Sequence, residues 1–241
     1  MKKITCILTT VILLATLSCT KDFEEINTNP NAPNSVQPSL LLRQVLYNFG
    51  ENMSYEGFVA GDLLAQHRTA LDFNLFDRHA LKSPQLGGNP WSIFYKNLRD
   101  NEIILKKARQ SSTLKVYEGP ALILKAYMAA GLTDLFGDVP YFTAFNGTEG
   151  EVTPAYDSQE SIYLNENGIL DNLDKGIDAI QNYNDAIPLQ GDILYNGNLQ
   201  SWIRFAKSLK IKYLVRISAK VNVSAQLQAL YTEGNFITTN A

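Results

Sequence analysis

Apolar residues recur at three- and four-residue intervals along most of this chain, a pattern that predicts helices. The first helix opens at Pro38, which suits a first helical turn capped by Ser35 or a neighbour, and carries Leu41, Val45 and Leu46. A second apolar segment runs from about Tyr55 to Gln66. Between Arg68 and Pro90 the period is lost, and a loop that long is usually functional or mobile. Trp91 opens the clearest helix, with Trp91, Phe94, Leu98, Leu105 and Ala108 on one face and Ser111-Ser112 at its end.

The next helix places Ala121, Leu124, Met128, Leu132 and Leu135 on one face. It stops at Phe136-Gly137-Asp138-Val139-Pro140, where Gly137 supplies a left-handed position and Pro140 prevents resumption. Asp157-Ser158-Gln159-Glu160 reads as a capping arrangement with Asp157 at the cap. It starts a helix with Leu170, Leu173, Ile177 and Ile180 inward, weakened by Gly168 and Gly176. After a turn at Asn196-Gly197, a last long helix from about Ser201 to Lys220 points Trp202, Phe205, Leu209, Tyr213 and Ile217 to one side. Lys212, Arg216 and Lys220 form a basic stripe on it, which reads as a solvated face. The fold class is mainly α: stacked helical hairpins resembling tetratricopeptide-like pairs, with long irregular loops. The tetratricopeptide repeat sequence itself is absent.

The first forty residues follow a different logic. Met1-Lys2-Lys3 is positive, and Ile4 to Leu17 carries no charge. That stretch is short for roughly 30 Å of hydrocarbon and fits the apolar region of a secretory signal. It ends in Thr16-Leu17-Ser18-Cys19, a small residue directly before a cysteine, as lipoprotein signal peptidase requires. Cys19 is therefore the expected lipidation site, although Thr16 replaces the usual aliphatic residue. The expected division is 1–18 signal peptide, 19–36 acylated cysteine and flexible tether rich in Asn and Pro, and 37–241 helical domain. Cleavage removes Lys2, Lys3 and Cys6, so the mature chain is more acidic than the formal −3 and keeps no cysteine besides Cys19. Thiol catalysis and thiolate metal sites fall away. No second stretch reaches transmembrane length, so the body is read as anchored rather than spanning.

Composition narrows the chemistry. With 21 Lys and Arg against 24 Asp and Glu, the basic excess of a nucleic-acid binder is missing. His67 and His79 flank Asp72 and Asp77 but show no metal-binding spacing, and read as ordinary loop histidines. Phosphate-loop, dinucleotide and G-x-S-x-G patterns are absent, so no cofactor, metal or catalytic residue is expected. The aromatics are the informative chemistry: 12 Tyr, 11 Phe and 2 Trp. A sugar face stacks on an aromatic ring while amides and carboxylates bond its hydroxyl rim. Phe73 beside Asp72 and Asn74, and Trp91 beside Asn89, are candidate ligand-binding groups of this kind. Trp91 has an equally simple reading as the first core residue of its helix, and Trp202 reads as core.

Several ordered blocks then point to one family. Tyr127-Met128-Ala129-Ala130-Gly131-Leu132-Thr133-Asp134-Leu135-Phe136-Gly137-Asp138-Val139-Pro140-Tyr141 is the longest. Pro154-Ala155-Tyr156-Asp157-Ser158-Gln159-Glu160-Ser161-Ile162-Tyr163, Gly191-Asp192-Ile193-Leu194-Tyr195-Asn196-Gly197-Asn198 and Trp202-Ile203-Arg204-Phe205-Ala206-Lys207-Ser208-Leu209-Lys210 follow in order. With the lipobox and the Trp91-Ile93-Phe94-Tyr95 helix start, they resemble the SusD/RagB family of outer-membrane nutrient-binding lipoproteins. Thr20 to Glu25, charged and directly after the lipidated cysteine, resembles the surface-export signals of lipoproteins from Bacteroides-type bacteria.

The resemblance implies a helical scaffold that binds a glycan or another nutrient at the cell surface. It also implies a partner, a TonB-dependent outer-membrane transporter of the SusC type. Family members are considerably longer, so the chain is expected to be an N-terminal portion. A surface-anchored glycan-degrading enzyme and a helical protein-interaction scaffold are the alternatives. In the Asp134–Tyr141 block, Asp134 or Asp138 is expected to bond nearby backbone amides, with Phe136 in the core.

Overall fold

The computed structural model describes residues 36–71 and 90–239. The chain divides into two units, Met1–Val36 and Gln37–Ala241, and every element named here belongs to the second. Cys19, the expected tether, Asp72, Phe73, Asn74, Asn89 and His79 lie outside the described residues.

In chain order the helices are α1 (Pro38–Glu56), α2 (Trp91–Gln110), α3 (Glu118–Phe136), α4 (Gln159–Leu164), α5 (Ile169–Gln181), α6 (Leu199–Ile217) and α7 (Ser224–Glu233). No strand forms among the described residues, where an isolated bridge pairs Val139 with Asp157. Pro38 sits in the first turn of α1 as its fixed φ favours, while Gln37 takes the cap position without a side-chain bond. The apolar segment that follows is a continuation of α1: a π-helical turn, Gly57–Gly61, leads into one more α-turn at Asp62–Leu64.

Successive long helices pack side by side and run oppositely. Gln44 of α1 bonds Asp100 of α2, while Phe49, further along α1, meets Phe94, nearer the start of α2. Across α2 and α3 the pairs are Arg109 with Glu118 and Glu102 with Lys125, and a side chain at Gly131 would strike Phe94. Across α3 and α5, Gly119 lies against Ile180, and Gly176 lies against Ile123. α6 closes the stack on α5 and also reaches α3, in the same direction, through Tyr127–Phe205 and Arg216–Asp134. These are helical hairpins laid in series, as the periodicity predicts.

The stack explains where one-face patterns fail. α3 meets α2, α5 and α6, so it is buried on nearly all sides, including Ala121, Ile123, Ala126, Ala129 and Ala130. Leu135, expected inward, is exposed on the last turn of α3. Phe136 is likewise not core but 39% exposed. The segment expected as one helix from Asp157 is two, α4 and α5, parted at Asn165–Gly168. A Cβ at Gly168 would fall 2.6 Å from the Ile162 carbonyl oxygen, so the break uses a glycine's lack of side chain. Gly176 has a different role. A Cβ there would come within 2.8 Å of Ile123 Cγ1 and 3.1 Å of the Gly119 carbonyl oxygen. The α3–α5 crossing is close because both helices present glycine to it.

The α4 cap is Ser158, whose hydroxyl accepts from the Ser161 amide, and not Asp157. α7 was not evident from the periodicity. Its Leu230 and the preceding cap residue Val223 join Leu214 of α6 in a small cluster. Each of the large side chains fully buried in the stack contributes roughly 1.5–3 kcal/mol through removal from water. Trp202, Phe94, Leu98, Met128 and Leu132 are among them. No helix of the described residues is long and apolar enough to cross a membrane.

Candidate functional site

The acidic groups of the ordered sequence blocks are engaged by the fold. Asp192 is buried, and its carboxylate accepts from the amides of Leu194, Tyr195 and Gly197 and from the Trp202 indole N–H at 2.9 Å. Asn196 and Gly197 both have positive φ, which permits this tight loop. Asp157 Oδ2 accepts from the amides of Tyr141 and Phe142, and Asp138 Oδ1 from that of Gln159. Asp134 differs from expectation. It accepts from the Tyr163 hydroxyl at 2.8 Å and pairs with Arg216 at 3.1 Å, tying α3 to α4 and α6. Arg216 of the basic stripe is thus committed to a structural ion pair, while Lys212 and Lys220 stay exposed. Gly137 has φ 73° as expected, but its ψ of −126° lies outside the left-handed helical region.

Glycoside hydrolysis needs a carboxyl held protonated near neutral pH. Glu118 and Asp171 are shifted the other way. Burial alone would raise Glu118, but Lys115 and Arg109 outweigh it and hold the carboxyl below its ordinary range. Burial also opposes the shift of Asp171, where the Lys175 contact and the Asn167 amide prevail. His67 is exposed, and no group of three or more potential metal ligands comes together among the described residues.

Trp91 stands at the first turn of α2, half-buried and outside the core. Its ring lies 4.9 Å from Tyr95 and 5.0 Å, edge-on, from Phe136. Tyr95 in turn lies 6.2 Å from Phe145. The Tyr95 hydroxyl donates to the Pro140 carbonyl at 2.7 Å. Burial pushes this phenol well above its ordinary range, reinforced by Tyr156 and Asp157, so it stays a donor. The partly exposed Phe136 and half-buried Phe145 complete a four-ring surface at one end of the α2–α3 hairpin. The rings are locked together by edge and tilted contacts worth about 0.5–1.5 kcal/mol each.

This surface opens into a cleft of about 660 Å³ between the outer side of α2 and the 144–148 segment. Tyr95, Arg99, Ile103 and Lys106 line it from α2, and Phe145 and Thr148 from the segment opposite. Trp91, Tyr95 and Arg99 follow one another at intervals of four, which aligns them along a single helix stripe. The apolar period sets Trp91 on one face with Phe94, Leu98, Leu105 and Ala108; those four are buried, whereas Trp91 stands outside the core on the stripe with Tyr95 and Arg99. Phe136 and Phe145 were not recognisable as site residues, since the chain brings them in from the far end of α3 and from an irregular segment.

The comparisons with known proteins agree with this architecture. A SusD-like family model, described as starch-binding and associating with the outer membrane, matches residues 30–241. A SusD/RagB family protein from Bacteroides thetaiotaomicron superposes with a TM-score of 0.69 at 24% identity, covering 85% of this chain and 44% of that one. A chitin-binding protein gives 0.65 at 24% identity, with 85% and 44% covered. A SusD homologue from Bacteroides fragilis gives 0.65 at 19% identity, with 85% and 42% covered. The chain therefore spans less than half the length of these solved structures. No curated protein matches it in sequence. With the model matched over nearly the whole chain and the helical stack shared with its solved members, the chain belongs to the SusD-like family.

Proposed function

We propose that this protein is a surface lipoprotein that captures a glycan and passes it to a TonB-dependent transporter of the SusC type. The observation that carries the capture step is the partly exposed ring surface of Trp91, Tyr95, Phe136 and Phe145 beside a largely apolar cleft edged by Lys96, Arg99 and Lys106. Flat apolar faces next to hydrogen-bonding side chains suit a sugar, which is apolar on its faces and polar at its rim. Family membership supports the reading, because its description names starch binding at the outer membrane. Asp72, Phe73, Asn74 and Asn89 are proposed as further ligand groups on the segment that leads into Trp91.

Trp91→Ala tests the site. It is expected to weaken glycan binding by roughly 1–3 kcal/mol in calorimetry, the scale of one aromatic contact, while the protein remains folded. Unchanged affinity in a folded variant would place the site elsewhere.

The anchor is proposed to be acyl chains on Cys19, with residues 1–18 removed and 19–36 acting as tether. Cys19→Ala is expected to abolish labelling by a radioactive fatty acid and to move the protein out of the membrane fraction. Persistent membrane recovery of the unlabelled variant, after stripping of bound partners, would refute the anchor.

A further inference from the structure

We infer that the cleft along α2 takes an acidic saccharide, with Lys96, Arg99 and Lys106 meeting its anionic groups while Tyr95 and Phe145 hold its ring faces. The inference rests on the capture reading above and adds the class of sugar. The cleft departs in charge from the chain around it. The whole sequence carries a formal −3, yet the ionisable side chains lining this cleft are two Lys, one Arg and one Glu. That carboxylate, Glu102, is turned to Lys125 of α3 at 2.5 Å, and both side chains are largely buried. It is thereby neutralised from inside the protein, and the charge presented to the cleft is basic.

The three cations are available in different degrees. Lys96 is exposed and has no ion pair among the described residues. Arg99 pairs with the adjacent Asp100 at 2.9 Å, with its own side chain 63% exposed. Asp100 also accepts from Gln44 of α1, so it keeps a partner when the guanidinium turns outward. Lys106 pairs at 3.0 Å with Glu149, and both side chains are exposed. Exposed pairs of this kind are weak and screened by salt, so an incoming carboxylate or sulfate exchanges readily for Glu149. The guanidinium presents a planar fork that matches a carboxylate, whereas each ammonium acts as a point charge.

The three positions also form a line. Lys96, Arg99 and Lys106 are three and seven residues apart, about 4.5 and 10.5 Å along the helix axis. A linear polyanionic sugar lying along α2 would meet them in turn, with Tyr95 and then Phe145 as platforms. A neutral glycan would use the same rings and leave the cations unemployed. The clefts elsewhere differ: the one between α3, α4 and α6 opposes Arg216 and Lys220 with Asp134 and Glu160. The one between Lys115 and Lys175 likewise contains Glu118, Asp178 and Asp185.

The test is titration of the purified full chain with a panel of oligosaccharides. Acidic members are oligogalacturonate, alginate fragments and chondroitin sulfate fragments; neutral members are malto-, cello- and chito-oligosaccharides of equal length. The expected result is binding of an acidic member at least tenfold tighter than any neutral one at low salt, weakening steeply as salt is added. Oligogalacturonate and sulfated fragments distinguish carboxylate from sulfate as the preferred anion. A Lys96→Gln, Arg99→Gln double variant, both at exposed positions, is expected to erase that preference with an unchanged unfolding midpoint. A Lys212→Gln, Lys220→Gln double variant, on and just after α6, removes the same number of charges as a control and is expected to leave it intact. Equal or tighter binding of neutral members overturns the acidic-sugar inference and leaves glycan capture standing. A preference that survives in the double variant overturns the assignment to this cleft. Absence of binding to every member of the panel overturns both.

Discussion

α3 and the outer stripe of α2 lie on the same hairpin and are built on opposite rules. α3 is enclosed by α2, α5 and α6, and its side chains are small or aliphatic because three helices must approach it. Its crossing with α5 is closest where Gly119 and Gly176 meet. Among the described residues, the α2 stripe carries two large rings and long cations that are covered in part by Phe136 and the 144–148 segment. The interior seam is therefore intolerant of added atoms, while the stripe keeps bulky groups half in solvent where a ligand can reach them. Its rings are steadied by one another and by the Tyr95–Pro140 hydrogen bond, so little of their position depends on the core.

The contrast is most severely tested at a buried polar group of the interior, in the loop between α5 and α6. Asp192→Ala leaves the Trp202 indole N–H and three backbone amides without their acceptor. The expected loss is about 4 kcal/mol, since each stranded buried donor costs roughly 1–3 kcal/mol and water reaches part of the loop. Chemical denaturation followed by tryptophan fluorescence measures it. A loss under 1 kcal/mol would mean that the loop is held by something other than this carboxylate.

Gly119→Ala comes next. The new Cβ would sit 2.5 Å from Ile180 Cγ1 and 2.8 Å from the Gly176 carbonyl oxygen, and that oxygen belongs to the backbone. Overpacking of this kind is expected to cost roughly 1–3 kcal/mol. An unchanged or higher melting temperature would show that the two helices do not approach so closely in solution. Gly50→Ala in α1, where a Cβ meets nothing within 4 Å, is the matching control, and helix propensity favours it.

On the outer stripe, Trp91→Ala should separate stability from binding. Half-burial of the ring puts its stability cost at about 1 kcal/mol, below its effect on glycan affinity. A cost as large as that of Asp192→Ala would move Trp91 from the stripe to the seam and erase the comparison.

The smallest effect concerns Glu118, at the join of α2 and α3. Its carboxyl is lowered on folding, so its contribution to stability is present above the ordinary value of 4.5 and is lost as pH falls below it. Lys115 and Arg109, its partners, are about half-exposed, so the contribution is under about 1 kcal/mol. Glu118→Gln should flatten the acid limb of the stability–pH curve slightly. An equally steep limb in the variant would assign that limb to other carboxylates.

Much of the helical scaffold was determined by the sequence alone. The period of apolar residues marked α1, α2 and α6, because a helix with one buried face must repeat every three to four positions, and α3 showed as a helix although it is buried on nearly all sides. Pro38, Gly137 and Pro140 marked ends through backbone geometry that no partner is needed to impose. The ordered blocks from Tyr127 to Lys210 were enough to name the family, though not to say what Asp134, Asp157 and Asp192 do.

Those roles required the tertiary structure, since their partners are set by packing. Asp157 was legible as a local cap and instead bonds Tyr141 and Phe142, while Asp134 pairs with Arg216 on α6, far along the chain. Leu135 and Phe136 kept the apolar period and still lie at the surface on the last turn of α3, where Phe136 meets the half-buried Trp91 edge-on. Gly176 looked like a weakness in a helix and is the point of closest approach to α3. The site divides in the same way. Trp91 was visible as an aromatic at a helix start, but its exposure, its stacking on Tyr95 and Phe136, and the basic cleft beside it arise from which face of α2 the other helices leave uncovered. Periodicity says that a helix has an inside and an outside; which outside becomes a cleft is decided by the segments that fold back over it.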